Sequence, residues 1–150
     1  MPSRWTRHEE QGSALVEFIW LGLLLLVPLV YLLLAAFDVQ RASYGASAAS
    51  RAAGRAFVLA PSQPVGYARA EAAARVALAD QGIHGDRARV AVTCAPDPTR
   101  CLSPGSTVTV SVTVQQPLPV APAVFGGSAP SVRVVSTHVE PYGAFREDRS

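Results

Sequence analysis

Between Glu17 and Asp38 the chain runs from Phe18 to Phe37 without one charged side chain. As an α-helix rising ~1.5 Å per residue, 20 such residues span about 30 Å, the thickness of a bilayer's hydrocarbon core. A helix covering the core of a soluble domain keeps a polar stripe for solvent, and this run has none. The segment therefore reads as a transmembrane or export helix. In a chain of 150 residues it leaves room for one small domain.

The entrance to the run is Gly12-Ser13-Ala14-Leu15-Val16-Glu17: a Gly, four apolar or small residues, an acid, then the long apolar helix. This layout resembles that of type IV prepilin-like substrates. The resemblance implies that a membrane peptidase cuts between Gly12 and Ser13, removing a short polar leader, Met1 to Gly12, that carries Arg4, Arg7, His8, Glu9 and Glu10. Within that group the run Gly12 to Phe18, Pro28 inside the apolar helix and the Ala/Ser/Arg-rich continuation are similar to the TadE-like pseudopilins of tight-adherence pilus systems. The likeness covers roughly Gly12 to Phe57; the rest matches only in general layout. It implies a non-enzymatic pseudopilin or minor pilin that helps assemble a tight-adherence (Flp-type) pilus or a related secretion filament. The implied partners are the prepilin peptidase, other pilins and pseudopilins, the inner-membrane assembly platform and the lipid bilayer, with no cofactor, nucleic acid or small-molecule substrate. The alternative is a single-pass, membrane-anchored extracytoplasmic binding module with no filament role. An ordinary secretory signal fits less well. Its apolar core is shorter, and here Leu34-Ala35-Ala36 continues into Phe37 and Asp38 rather than a break.

Glu17 is costly at the edge of a membrane helix. It either stays hydrated at the headgroup boundary or meets a cation. Cleavage after Gly12 would create one, the amine of Ser13, four residues away and on the same helix face. By the resemblance, the acid pairs with the terminal amine of a neighbouring subunit; an intra-subunit pair is equally compatible with the spacing. Pro28 removes one helical hydrogen bond, to the carbonyl of Leu24, and is expected to kink the axis, which membrane helices tolerate.

The net charge of +2 is too small and dispersed for nucleic-acid binding. All basic side chains are Arg. They flank the apolar run on both sides, with Arg4 and Arg7 before it and Arg41, Arg51 and Arg55 after it, so charge does not orient the helix. Cys94 and Cys101 enclose Ala-Pro-Asp-Pro-Thr-Arg, a turn-rich hexapeptide that suits a small disulfide loop. Disulfides persist on the oxidising side of a membrane, which places the C-terminal domain outside the cytoplasm. The alternative, a metal site, lacks a neighbouring His and the usual ligand spacing.

Beyond the membrane segment, Ser13 to Phe37, the expected domain runs from Asp38 to Glu140 and the charged tail, expected to be loose, from Pro141 to Ser150. The first helix should continue to Ala60, with Ala42, Ala46, Ala49, Ala53 and Ala56 as a small-residue seam that packs on its own domain. Gly45 and Gly54 weaken that helix by about 1 kcal/mol each and mark possible breaks. Pro61 to Pro64 is a turn, and a second helix spans Val65 to Gln81, ended by Gly82. Tyr67, Ala70, Ala74, Ala77 and Leu78 share its inner face. Strands follow at Arg87 to Cys94, at Thr107 to Gln115 with Val108, Val110, Val112 and Val114 on one face, and less cleanly at Val132 to Val139. The Pro-rich stretch 117–130, with Leu118, Val120, Val124 and Phe125, is a long loop. The predicted class is α+β: a long N-terminal helix, a second helix and a small antiparallel sheet of about three strands.

No catalytic constellation accompanies this layout. His8, His84 and His138 have no metal-ligand spacing, and His138-Val139-Glu140 lacks the Pro-Cys-x-x-Cys that a zinc deaminase requires. There is no Gly-rich phosphate loop and no nucleophile elbow.

Overall fold

A computed structural model describes the backbone of residues 10–118 and 130–150, and the side chains among them from residue 14 onward. Helix α1 spans Glu10–Val58, 49 residues and, at ~1.5 Å each, about 73 Å. Helix α2 spans Gln63–Ala79, and a single 3₁₀ turn, Gly85–Arg87, leads into strand β1, Ala88–Ala95. Strands β2, Thr107–Pro117, and β3, Ser131–Pro141, complete a sheet of order β1-β2-β3, antiparallel throughout. The architecture is the α+β arrangement that the periodicities predict.

Both ends of α2 fall two residues earlier than expected, for a local reason. Ser62 is extended, Pro64 sits in the first turn where its missing N–H costs nothing, and the Gly66 N–H closes that turn on the Ser62 carbonyl at 2.9 Å. At the other end Gly82 adopts φ +71°, which a Cβ would disfavour. The Gly82 N–H then reaches the Ala79 carbonyl at 2.9 Å and the Ile83 N–H the Leu78 carbonyl at 3.0 Å. This pair of bonds is a Schellman stop, and its two flanking apolar residues, Leu78 and Ile83, are both buried.

The core lies between the second half of α1, α2 and one face of the sheet. Ala42, Ala46, Ala49, Ala53 and Phe57 of α1 are fully buried, with Val108, Val110, Val112 and Val114 of the central strand and Ala70, Ala74 and Leu78 of α2. Ala56, the last member of the expected seam, is only half-buried; Phe57 takes the inner position beside it. The sheet's other face, with Thr109, Ser111 and Thr113, stays partly open to solvent, so the valines and threonines of β2 separate by face as their alternation predicts.

Gly45 and Gly54 do not break α1. They are points of close approach. A Cβ at Gly45 would stand 3.1 Å from Ile83 Cδ1, and one at Gly54 3.3 Å from His138 Cδ2. Gly66 of α2 meets the Phe57 ring in the same way, at 3.1 Å. The inner face of β3 is mostly polar: Ser136, His138 and Glu140 follow Val132 and Val134. Small residues on α1 accommodate them. The Ser50 and Ser136 hydroxyls are 3.3 Å apart, and His138 Nε2 lies 2.9 Å from Glu140 Oε2 beside Gly54.

The C-terminal tail is docked, contrary to the expectation of a loose end. Tyr142 is fully buried, its N–H bonds the Ser106 carbonyl at 2.8 Å, and its hydroxyl donates to the Glu147 carbonyl at 2.6 Å. Arg146 stacks over the Tyr142 ring at 4.7 Å and donates to the Val58 carbonyl at 3.0 Å, capping α1 where its dipole favours a cation. Asp148 takes Arg100 and Ser103, and the Arg149 N–H reaches the Leu102 carbonyl at 3.0 Å. Burying one tyrosine of this size contributes about 2 kcal/mol, which acts together with the tail's hydrogen bonds and the single Asp148–Arg100 pair to hold the segment on the domain.

Candidate functional site: the first helix and its entrance

From Ala14 to Leu34 nothing among the described residues of the domain covers the outer surface of α1 closely enough to bury it. Every large apolar side chain from Leu15 to Leu34 is 45–73% exposed. A continuous apolar cylinder of this kind is unstable in water and must be covered by lipid or protein. It is long and apolar enough to cross a membrane once. Asp38 and Val39 are half-buried, and Ala42, one turn on, is fully buried. The apolar half and the domain are thus one unbroken helix, with no linker between them.

The direction of the domain follows from its contacts. Gly45 meets Ile83 and Gln81 near the apolar half of α1, whereas Val58 meets Arg146 at the far end. Strand β3 runs alongside α1, Ser136 against Ser50 and then His138 against Gly54. The β2–β3 connection therefore leaves the sheet on the side of the apolar half, where the Leu118 N–H bonds the Pro130 carbonyl at 2.9 Å. Its apolar residues Val120, Val124 and Phe125 lie outside the described residues.

Gly12 and Ser13 lie in α1, near the start of its described range, Glu10–Val58. Their side chains, and the leader residues Arg4, Arg7, His8 and Glu9, lie outside the described residues. Glu17, one turn further on, is exposed and has no hydrogen-bond or ion-pair partner among the described residues. Pro28 lies inside α1, which is helical on both sides of it.

Cys94 and Cys101 are bonded, S–S 1.99 Å with Cα atoms 5.2 Å apart, at the end of the domain remote from the apolar half. Two free thiols for a metal are therefore not present, and no group of three His, Cys, Asp or Glu among the described residues could hold a metal ion. The bridge is anchored to α2: the Cys101 N–H donates to Gln63 Oε1 at 3.1 Å, and the Tyr67 hydroxyl lies 3.9 Å from Cys101 Sγ. Tyr67, expected on the inner face of α2, is 41% exposed but sets its ring edge-on to Phe57 at 5.1 Å. Inside the loop the Thr99 hydroxyl and N–H both donate to Asp97 Oδ1, at 2.7 and 2.8 Å. They hold the Asp97 carboxyl below the usual 3.8, with Arg100 adding to the effect.

Of the histidines, His84 is exposed and His138 faces Glu140; His8 lies outside the described residues. A cleft of about 740 Å³ opens between α2 and β1, lined by Glu71, Arg75, Ile83, His84, Asp86 and Arg89. Glu71 and Arg75 pair with each other, as their spacing predicts, and the rest of the lining mixes both signs of charge. Sequence periodicity does not single out one feature of α1. Among the described residues, Arg41, Tyr44, Ala48, Arg51 and Arg55, with Leu59 just past its end, form its one continuous exposed stripe beside the domain.

No family model, curated protein or solved structure matches the chain.

Proposed function

We propose that this chain is a TadE-like pseudopilin or minor pilin: a non-enzymatic, single-pass membrane subunit that helps assemble a tight-adherence pilus or a related secretion filament. The observation that carries the reading is the continuity of α1. Its exposed apolar half, with Glu17 near its start, passes without a linker into the buried helix on which the domain is built. A plain anchor needs only apolar length and tolerates a flexible joint. A rigid joint transmits the position of the membrane half to the domain, which is what a subunit stacked against its neighbours requires. The disulfide suits an extracytoplasmic domain.

Two measurements test the reading. In membranes containing the cognate peptidase, intact mass should show a mature chain beginning at Ser13. A chain that retains Met1 to Gly12 favours the anchored binding module, and one beginning near Phe37 or Asp38 favours a secretory signal. Separately, Glu17→Ala and Glu17→Gln should insert normally and still be cut, because removing an acid lowers the cost of insertion. Both should lose co-purification of partner pilins, since the amine left without its carboxylate is an uncompensated charge in a low-dielectric setting. Normal partner association and normal filament counts in both variants would refute the role given to Glu17.

A further inference from the structure

α1 is buried over most of its circumference where it crosses the domain. Ala42, Ala46, Ala49, Ser50, Ala53 and Phe57 face inward. The stripe left open follows the helical period at steps of three and four: Arg41, Tyr44, Ala48, Arg51, Arg55 and Leu59. It combines exposed apolar side chains with arginines. Tyr44 is 72% and Leu59 62% exposed, and between them stand two arginines with no acid on the stripe. Arg41, Arg51 and Arg55 have no carboxylate partner among the described residues; the only side-chain contact among the three is from Arg51 to the Ser47 hydroxyl, at 2.6 Å along the same helix.

We propose that this stripe docks a helix of a second, different protein, one that presents acidic side chains along its face. The inference rests on the assembly reading only in assuming that other membrane-anchored chains stand beside this one. Charge decides the chemistry of the occupant. A second copy would set arginine against arginine, and its described acids are poorly placed to help. Beside the domain α1 carries one acid, Asp38, and α2 carries one, Glu71, which is taken by Arg75, so neither helix offers an acidic face. Asp148 pairs with Arg100 and Glu140 with His138, and the exposed Asp80, Asp86 and Glu147 lie outside both helices. A lipid headgroup suits Arg41 alone. Arg55 stands 14 residues further along α1, about 21 Å at ~1.5 Å per residue, more than twice the distance over which physiological salt screens exposed charges. Ala48, at the middle of the stripe, lets a partner backbone approach closely, with Tyr44 and Leu59 as apolar contacts on either side. The arginines then fix register and exclude like-charged partners.

The test uses the full-length chain in membranes of its native host, with a photo-crosslinking residue at Ala48 and a control at Thr113 on the solvent face of the sheet. The Ala48 probe should give an adduct with a different protein, and the crosslinked segment should be helical and acid-bearing. Adduct yield should fall roughly fivefold or more in Arg51→Glu/Arg55→Glu and survive in Arg51→Lys/Arg55→Lys. Both pairs lie on the exposed surface, and near-UV circular dichroism checks that each variant is folded. An adduct only between two copies, an adduct only with lipid, no adduct above the Thr113 control, or equal yield after charge reversal would each overturn the proposal. The mature N-terminus, read by mass on the same samples, reports on the assembly reading separately. A chain beginning at Ser13 without a heterotypic adduct sinks the acidic partner alone; an uncut chain with the adduct sinks the assembly reading alone.

Discussion

Gly66→Ala should destabilise the domain although it replaces the poorest ordinary helix former with the best. Gly66 is buried in the first turns of α2 and has no positive φ, so alanine gains up to about 1 kcal/mol of helix propensity. Against this stands the Phe57 ring. The added Cβ would lie 3.1 Å from both Cδ2 and Cε2 and 3.4 Å from Cγ, closer than carbon atoms pack. Phe57 is fully buried and held edge-on against Tyr67, so it has no solvent to move into. Overpacking of a rigid core costs about 1–3 kcal/mol, so after the propensity gain the net loss is about 0–2 kcal/mol, about 1 at the middle of the range. For a domain near 100 residues a loss of about 1 kcal/mol lowers Tm by roughly 4–8 °C, read by near-UV circular dichroism of the full chain in detergent. Gly54→Ala is the matched control. Its Cβ would meet His138 Cδ2 at 3.3 Å and Glu140 Cβ at 3.5 Å, but the His138 side chain is 31% exposed and can swing outward. That variant should be neutral or stabilised by about 0.5 kcal/mol, propensity outweighing a small shift. If Gly66→Ala is as stable as the parent, or both variants shift Tm alike, the argument that a fixed ring opposes the Cβ is wrong.

The disulfide closes a short loop, seven residues apart in sequence, so chain entropy gives it about 2.5 kcal/mol. Cys94→Ser/Cys101→Ser should lower Tm measurably, and thiol labelling of the parent should fail until a reductant is added; rapid labelling in untreated cells would contradict both the bridge and the extracytoplasmic placement. The tail should respond to acid. The Ser150 N–H, the Ser150 hydroxyl and Arg100 hold the Asp148 carboxyl below its usual 3.8. A depressed folded value means that this contribution is fully present above the usual value and is lost as pH falls through the lowered one. Resonances of the Tyr142 ring should therefore hold steady from neutral pH to about 4 and change below it, and Asp148→Asn should remove that step; an unchanged step in the variant would assign it to another group.

What the residues alone determined is whatever repeats at short range. The uncharged run Phe18 to Phe37, the alternation of Val108 to Val114, the Gly82 stop and the Glu71–Arg75 pair each depend on neighbours within a few positions. Their elements appear with ends shifted by at most three residues. The close pairing of Cys94 and Cys101 belongs to the same class, since a turn-rich hexapeptide brings the two together by itself. Tertiary structure decided everything that joins distant positions. Gly45, Gly54 and Gly66 look like weak points in a helix until Ile83, His138 and Phe57 arrive against them. The polar inner face of β3 makes sense only once Ser50 and Gly54 lie beneath it. The tail reads as solvated charge because its anchors, Ser106, Leu102, Arg100 and Val58, are 36 to 88 residues away in sequence. The exposed arginine stripe of α1 is likewise a remainder, defined by which sides of the helix the rest of the domain happens to cover. Periodicity reports that a helix has a face; only the packed fold says how many of its faces are taken, because burial is a property of the surroundings and not of the segment.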